Sequence, residues 1–563
     1  MKKFFFLLLM IICGNLWARP DFWDDRDDAE LIEEILAAMT PVQLLGQTHF
    51  CGYLGTEPSD EIKRWIGRRG AGGVKIFGRN VSALETLAQG ILEMQTLAEK
   101  SPFSIPLFIA TDQEGGWVRH VQDETLVVPG NLALGATTRP IDSYYIAYYM
   151  GLELSLLGIN LNFAPSIDIY SNLDNQAIGP RSFSSDPVIT GILGTAFMQG
   201  MKDAGVLCTA KHFPGHGDAI EDSHGVRPKV DVDLETLRKR ELVPYRFMFK
   251  AGVPVIMTAH LAFPKITGNN GPATLSSFFL EDIARKELGY QGIILTDDLE
   301  MQGVHEGAFD LPKISYQALL AGNDMILLSH TPREHEKTWK FLNAQLTNQA
   351  FLALLKTKVR RILKVKMDFF KHNKPVTLKP QPKGVVKRIL DLQKKASLEY
   401  TFEVSCRAVT TLADKSLPFQ PTSREKILMV SQYREFFKAV SERFFGVEEY
   451  YLDFPSYYTP PERVLKELSR KAENSDKILL CLANPGTLAV LEALRSYSSK
   501  LFVVSTLTPA YLKDVPWVEN AVAIFGTNAD SFRAGIAVLA GDYKGPGSLP
   551  FQLEMDQSAT ERY

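Results

Sequence analysis

Seven short apolar runs, most of them rich in β-branched residues, are set apart by stretches of helical spacing, and this alternation constrains the fold more than any other feature of the chain. The runs are Gly73-Val74-Lys75-Ile76-Phe77, Pro106 to Ala110, Ile159 to Phe163, Val206 to Ala210, Val253 to Met257, Gly292 to Leu295 and Asp324 to Leu328. Between them lie amphipathic stretches such as Ser82 to Glu99, Asp142 to Leu157 and Leu234 to Lys250. Apolar strands alternating with helices predict a parallel sheet covered on both faces. Seven or so such units between residue 30 and about 365 predict an α/β fold, a closed (β/α)8 TIM-like barrel whose first strand is irregular and lies near Leu44 to Phe50.

The pattern then changes. Residues 366–400 are basic and carry Lys374-Pro375 and Lys379-Pro380-Gln381-Pro382, which reads as a linker with some helix in it. A second alternating block follows over 401–563, with strands expected at Lys426 to Val430, Lys477 to Leu482, Leu501 to Val504 and Ala521 to Phe525. This describes a smaller doubly wound α/β sandwich domain, without a Gly-rich phosphate loop at its strand ends. The first domain is expected over 19–365, behind a leader at 1–18.

That leader sets the expected compartment. Lys2 and Lys3 precede an apolar run from Phe4 to Cys13, and a polar acidic stretch begins at Asp21. A basic start and a short apolar run describe a secretory signal, with cleavage expected after Ala18. The run is shorter than the ~20 residues that cross a bilayer, although an uncleaved anchor is the alternative. The expected location is therefore periplasmic or extracellular, and no later segment reads as a membrane span. A net charge of -3 gives no reason to expect a nucleic-acid partner. Cys51, Cys208, Cys406 and Cys481 are scattered, which argues against a disulfide framework or a zinc-finger site.

Ionisable residues collect just after the apolar runs: Asp112-Gln113-Glu114, Asp168, Lys211-His212, His260 and Asp297-Asp298. In a barrel these positions are the C-terminal strand ends, where active sites form. Single residues admit plainer readings. Asp297 could be a carboxylate nucleophile, or the N-cap of a capping box with Glu300 reaching back. Asp222 and His224 are two apart, so in an extended segment they share a side, and Asp222 could raise the proton affinity of His224 for general acid/base work. A solvated loop and a metal site built from His212, His216, Asp218, Asp222 and His224 are the competing readings. Asp112-Gln113-Glu114-Gly115-Gly116 is either an ordinary turn or a place where carboxylates meet paired hydroxyls over a closely approaching backbone. Arg181 lies in the tight turn Gly179-Pro180-Arg181-Ser182-Phe183.

Taken together, five motifs in this order resemble family-3 glycoside hydrolases, and within them the β-N-acetylhexosaminidase branch. They are Asp-Gln-Glu-Gly-Gly at 112–116, Gly-x-Arg-Ser-Phe at 179–183, Lys-His-Phe-x-Gly-His-Gly at 211–217, Asp-Ser-His at 222–224 and Thr-Asp-Asp-Leu-x-Met at 296–301. The segment Gly541 to Phe551 is similar to part of that family's C-terminal domain. The resemblance implies that Asp297 is the nucleophile, His224 the acid/base and Asp222 its partner. It also implies that Asp112, Arg181, Lys211 and His212 hold the terminal sugar. The family usually has an Arg where this chain has His120, with Arg119 just before it, so either Arg119 takes over by a small shift or the sugar contacts differ.

The implied chemistry is exo-acting, retaining hydrolysis of a terminal β-linked N-acetylglucosamine from peptidoglycan fragments or chitin-like oligosaccharides, with no metal or organic cofactor. A β-glucosidase of the same fold and a non-catalytic cell-wall-binding protein are the alternatives.

Overall fold

The structure is a computed structural model that describes residues 19–175, 177–219, 227–305, 309–372, 376–453 and 458–553. Eight parallel strands close into a barrel: β1 (His49–Cys51), β2 (Gly73–Ile76), β3 (Phe108–Thr111), β4 (Leu161–Asn162), β5 (Leu207–Phe213), β6 (Val255–Thr258), β7 (Ile293–Asp298) and β8 (Met325–Leu328). Each pairs with its neighbours in sequence, and β1 closes the ring on β8 through Phe50 opposite Leu327. The seven apolar runs each contain or overlap a strand. They are buried because helices cover the outside of the barrel while side chains fill its interior.

The first strand departs from the expected position. Residues Pro41–Gln47 are helical, and the strand begins only at His49. Thr40 and Gln43 form a reciprocal capping box with Pro41 at the first helical position, and this local signal overrides the apolar character of Leu44 and Leu45. A short antiparallel ribbon, Gln113–Gly115 against Val118–Arg119, projects from the end of β3.

The second sheet has six strands: β9 (Thr410–Asp414), β10 (Ile427–Ser431), β11 (Val447–Tyr451), β12 (Lys477–Leu482), β13 (Leu501–Ser505) and β14 (Asn520–Ala523). The spatial order is β9-β14-β13-β12-β10-β11, with only the β9–β14 pair antiparallel. Its parallel part is a doubly wound sheet that reverses direction between β10 and β12. Both edge strands, β9 and β11, were absent from the sequence reading.

Helices Val385–Leu392 and Leu398–Ala408 connect the two sheets and lie against the barrel. Gln393 donates to Glu153 Oε1 at 2.8 Å, and Arg407 pairs with buried Asp142 at 2.9 Å. The second domain packs on the loops that follow β3 and β4. Leu132, Ala133 and Ala136 of the short helix Asn131–Thr137, with Tyr170 beyond β4, share one apolar cluster with Ala408, Ala510, Ala523, Phe525 and Phe551. Tyr170 meets Phe551 edge to face at 4.9 Å, and Ser184 donates to the Pro550 carbonyl at 2.7 Å. The domain thus braces the same rim that carries the ionisable strand ends. Among the described residues no helix is long and apolar enough to cross a membrane.

Candidate active site

Strand ends β2, β3 and β5 and the loop after β4 send charged side chains to one buried point. Asp112, just past β3, accepts from Lys211 Nζ at 2.7 Å on Oδ1 and pairs with Lys75 Nζ at 2.6 Å on Oδ2. Glu114 accepts two bonds from the Arg181 guanidinium, at 2.9 and 2.7 Å, and lies 2.6 Å from Lys211 Nζ. Lys211 therefore serves both carboxylates. The fork of Arg181 matches a carboxylate in a way an ammonium cannot. Burial pushes the Asp112 carboxyl up, but Lys211 and Lys75 outweigh it and hold Asp112 well below the usual range. The same opposition, with Arg181 and Lys211 prevailing over burial, takes Glu114 down to about 2.

His212 is joined to Lys211 by a cis peptide bond and points to Asp168 beyond β4. Its Nδ1 lies 2.7 Å from Asp168 Oδ2. A carboxylate only accepts, so Nδ1 carries the proton and Nε2 is left facing Arg181 at 3.4 Å. Asp168 also accepts from the amides of His212 and His216 and from the Ser166 hydroxyl. It is the group that fixes the orientation of His212. His216 is buried, and burial lowers its imidazole to about 4, so it is neutral at ordinary pH.

Asp297 is the penultimate residue of β7 and is half-buried. Its Oδ1 accepts from the Asp298 amide at 2.8 Å. The capping-box reading does not hold, because Glu300 turns instead to the amides of Ser329, His330 and Thr331 and to His335. Burial pushes the Asp297 carboxyl up, but His260, His212, Lys75 and the Asp298 amide outweigh it, so Asp297 sits below its ordinary value as an anion. Two histidines clamp the neighbouring residue. His260 Nε2 donates to the Asp298 carbonyl at 3.0 Å, and His330 Nε2 lies 3.0 Å from Asp298 Oδ2. Arg79 NH1 sits 3.0 Å from His330 Nδ1, and a guanidinium only donates. The proton of His330 is therefore on Nε2, which lies beside Asp298 Oδ2 without hydrogen-bonding to it.

The structure separates Arg119 from the cluster. Arg119 NH2 donates to the Thr125 carbonyl at 3.2 Å and hydroxyl at 3.1 Å, away from Asp112. His120 faces the cluster, with Nε2 3.6 Å from Asp112 Oδ2 and its ring against Phe77 at 5.2 Å. Arg119 is the last residue of the ribbon and His120 lies in the bend just beyond it, and the two side chains go to different neighbours. In this structure Arg119 ties down its own loop, and His120 is the member of the pair that stands beside Asp112.

Asp222 and His224 lie outside the described residues. Of the proposed metal ligands, the His212 ring is engaged with Asp168, His216 meets Asp168 only through its backbone amide while its ring Nδ1 has no partner among the described residues, and Asp218 pairs with Arg240 at 3.1 Å. No group of three or more ligand-type side chains suited to a metal is found among the described residues. Lys75 was not legible as a site residue, Asp168 was legible only as a strand-end carboxylate, and Glu114 only as a partner of Asp112 in a motif that could meet paired hydroxyls. A lysine inside a four-residue strand whose positions are all buried was the available signal for Lys75.

Beta-hexosaminidase A of Pseudoalteromonas piscicida is 34% identical over 366 residues, which are 58% of this chain and 61% of that protein. The chain thus spans less than two thirds of that relative. A beta-hexosaminidase of Idiomarina loihiensis is 36% identical over 278 residues, 49% of this chain and 81% of its own. The solved glycoside hydrolase family 3 beta-N-acetylglucosaminidase from Paenibacillus sp. FPU-7 superposes with a TM-score of 0.82 at 31% identity, covering 92% of this chain and all of that one. Residues 31–365 match the model of the glycosyl hydrolase family 3 N-terminal domain, and the chain belongs to glycosyl hydrolase family 3.

Proposed function

We propose that this chain is an exo-acting, retaining β-N-acetylhexosaminidase that removes terminal β-linked N-acetylglucosamine. The observation that carries the reading is the Asp297 carboxylate at the C-terminal end of β7, held by the Asp298 amide, at the same barrel rim as the Asp112–Lys211–Glu114–Arg181 cluster. A carboxylate held as an anion can attack an anomeric carbon, and a fixed set of ionic groups can grip the hydroxyls of one terminal sugar. The names of the relatives above support the N-acetylhexosamine preference.

In this mechanism Asp297 attacks the anomeric carbon and forms a glycosyl ester. His224, protonated and paired with Asp222, gives its proton to the leaving oxygen. The neutral imidazole then takes a proton from the incoming water, and the hydroxide oxygen displaces Asp297 with net retention. The leader at 1–18 supports export, and an exported enzyme of this specificity meets peptidoglycan fragments or chitin-like oligosaccharides.

The test uses the purified chain with aryl N-acetyl-β-glucosaminide and aryl β-glucoside, and a fluorinated sugar to trap the intermediate. Turnover of the first substrate with the label on Asp297 is expected, together with a His224→Ala variant that loses activity mainly on poor leaving groups. Preference for the glucoside supports the β-glucosidase alternative. Binding without turnover, or a label on another residue, refutes the mechanism.

A further inference from the structure

Lys75 has no assigned role, yet it occupies the centre of the site. It stands in β2 among buried apolar neighbours, and its own side chain is only 8% exposed. A lysine is rarely buried unless paired. Its ammonium lies 2.6 Å from Asp112 Oδ2, 4.3 Å from the centre of the Phe77 ring and 5.2 Å from that of Phe163. The two aromatic faces and one carboxylate oxygen fix the position of the charge and replace part of its lost hydration.

The second lysine of the cluster cannot do this work alone. Lys211 is divided between Asp112 Oδ1 and Glu114 Oε1. Arg181 is committed to Glu114. Without Lys75, Oδ2 would keep only His120, at 3.6 Å and one-third exposed, and would be free to turn. A carboxylate that recognises two neighbouring hydroxyls must be held in one plane before they arrive, or binding spends energy on ordering it.

We infer that Lys75 is the positioning residue that pins Asp112 for the hydroxyls of the terminal sugar. The inference rests on the reading of Asp112 as a sugar-holding carboxylate. Lys75 acts through its contact with Asp112 and reaches Asp297 only through its longer-range field. Its loss should therefore weaken ground state and transition state alike, raising KM with little change in kcat.

The geometry also supplies a rescue. His120 and Lys75 approach the same carboxylate oxygen from different elements, the ribbon and β2. A cation moved from position 75 to position 120 meets the same oxygen.

The experiment compares wild type, Lys75→Met, Lys75→Gln and the double variant Lys75→Met/His120→Lys, each checked for an unchanged circular dichroism spectrum. Steady-state kinetics on aryl N-acetyl-β-glucosaminide are paired with calorimetric binding of N-acetylglucosamine. Both single variants should raise KM and the sugar Kd at least tenfold, with kcat within about threefold of wild type. The double variant should recover most of the lost affinity. Unchanged KM and Kd in a folded single variant overturns the inference. So does a double variant as weak as the single ones, or a loss confined to kcat. If the wild-type chain binds N-acetylglucosamine but does not hydrolyse the aryl substrate, the proposed function fails while the binding arm still decides the role of Lys75.

Discussion

Replacing Glu114 by Gln keeps the shape of the side chain and removes one of the negative charges in the cluster. Glu114 is almost fully buried and faces Arg181 and Lys211. Its carboxyl falls from the ordinary 4.5 to about 2 because these cations outweigh burial. That drop corresponds to about 3 kcal/mol of folded-state preference for the carboxylate. The lowered value fixes the sign: the contribution is complete above about pH 4.5 and is lost as pH falls through about 2. The Gln variant therefore lacks it at neutral pH, and the gap to wild type closes on acidification. With ordinary denaturant slopes, about 3 kcal/mol lowers the urea midpoint by about 1 M at pH 7. Tryptophan emission is a suitable probe, because Trp65 and Trp339 pack 5.1 Å apart, both buried on outer helical elements of the barrel domain, and report on that domain. An equal midpoint at pH 7, or a deficit of the same size at pH 7 and at pH 3, would refute the reasoning.

Two further outcomes test the arrangement at the ribbon and the junction of the domains. Arg119→Ala should leave KM for the aryl substrate within about twofold of wild type, because its guanidinium is spent on Thr125; a tenfold rise would return Arg119 to the site. Phe551→Ala removes a buried ring from the cluster shared by the two domains and should cost about 3 kcal/mol. Its thermal unfolding should split into separate barrel and second-domain transitions, whereas an unaltered calorimetric trace would show that this contact does not hold them together.

The barrel was legible in the chain because its strands are buried on both faces and read as continuous apolar runs. The strand-end carboxylates and histidines were legible because little else explains ionisable groups at those places. The edge strands β9 and β11 were not. Thr410–Asp414 and Val447–Tyr451 have exposed positions and carry polar residues, so they lack the signature of a central strand. The choice between Arg119 and His120 was also out of reach, since it depends on the exact register of a ribbon with a shifted pairing between Gln113 and Gly115. Lys75 was concealed by its company. One charge within an apolar strand reads as a stray surface residue until the opposing carboxylate is located.

The patch made by Leu132, Ala133, Ala136 and Tyr170 has a consequence for anyone who shortens this chain. A barrel released from its companion would present bald, sticky skin beside its own mouth, inviting self-association where substrate must enter. An excised version therefore calls for polar replacements at Leu132 and Ala136, and solubility without them would mean that the companion is dispensable.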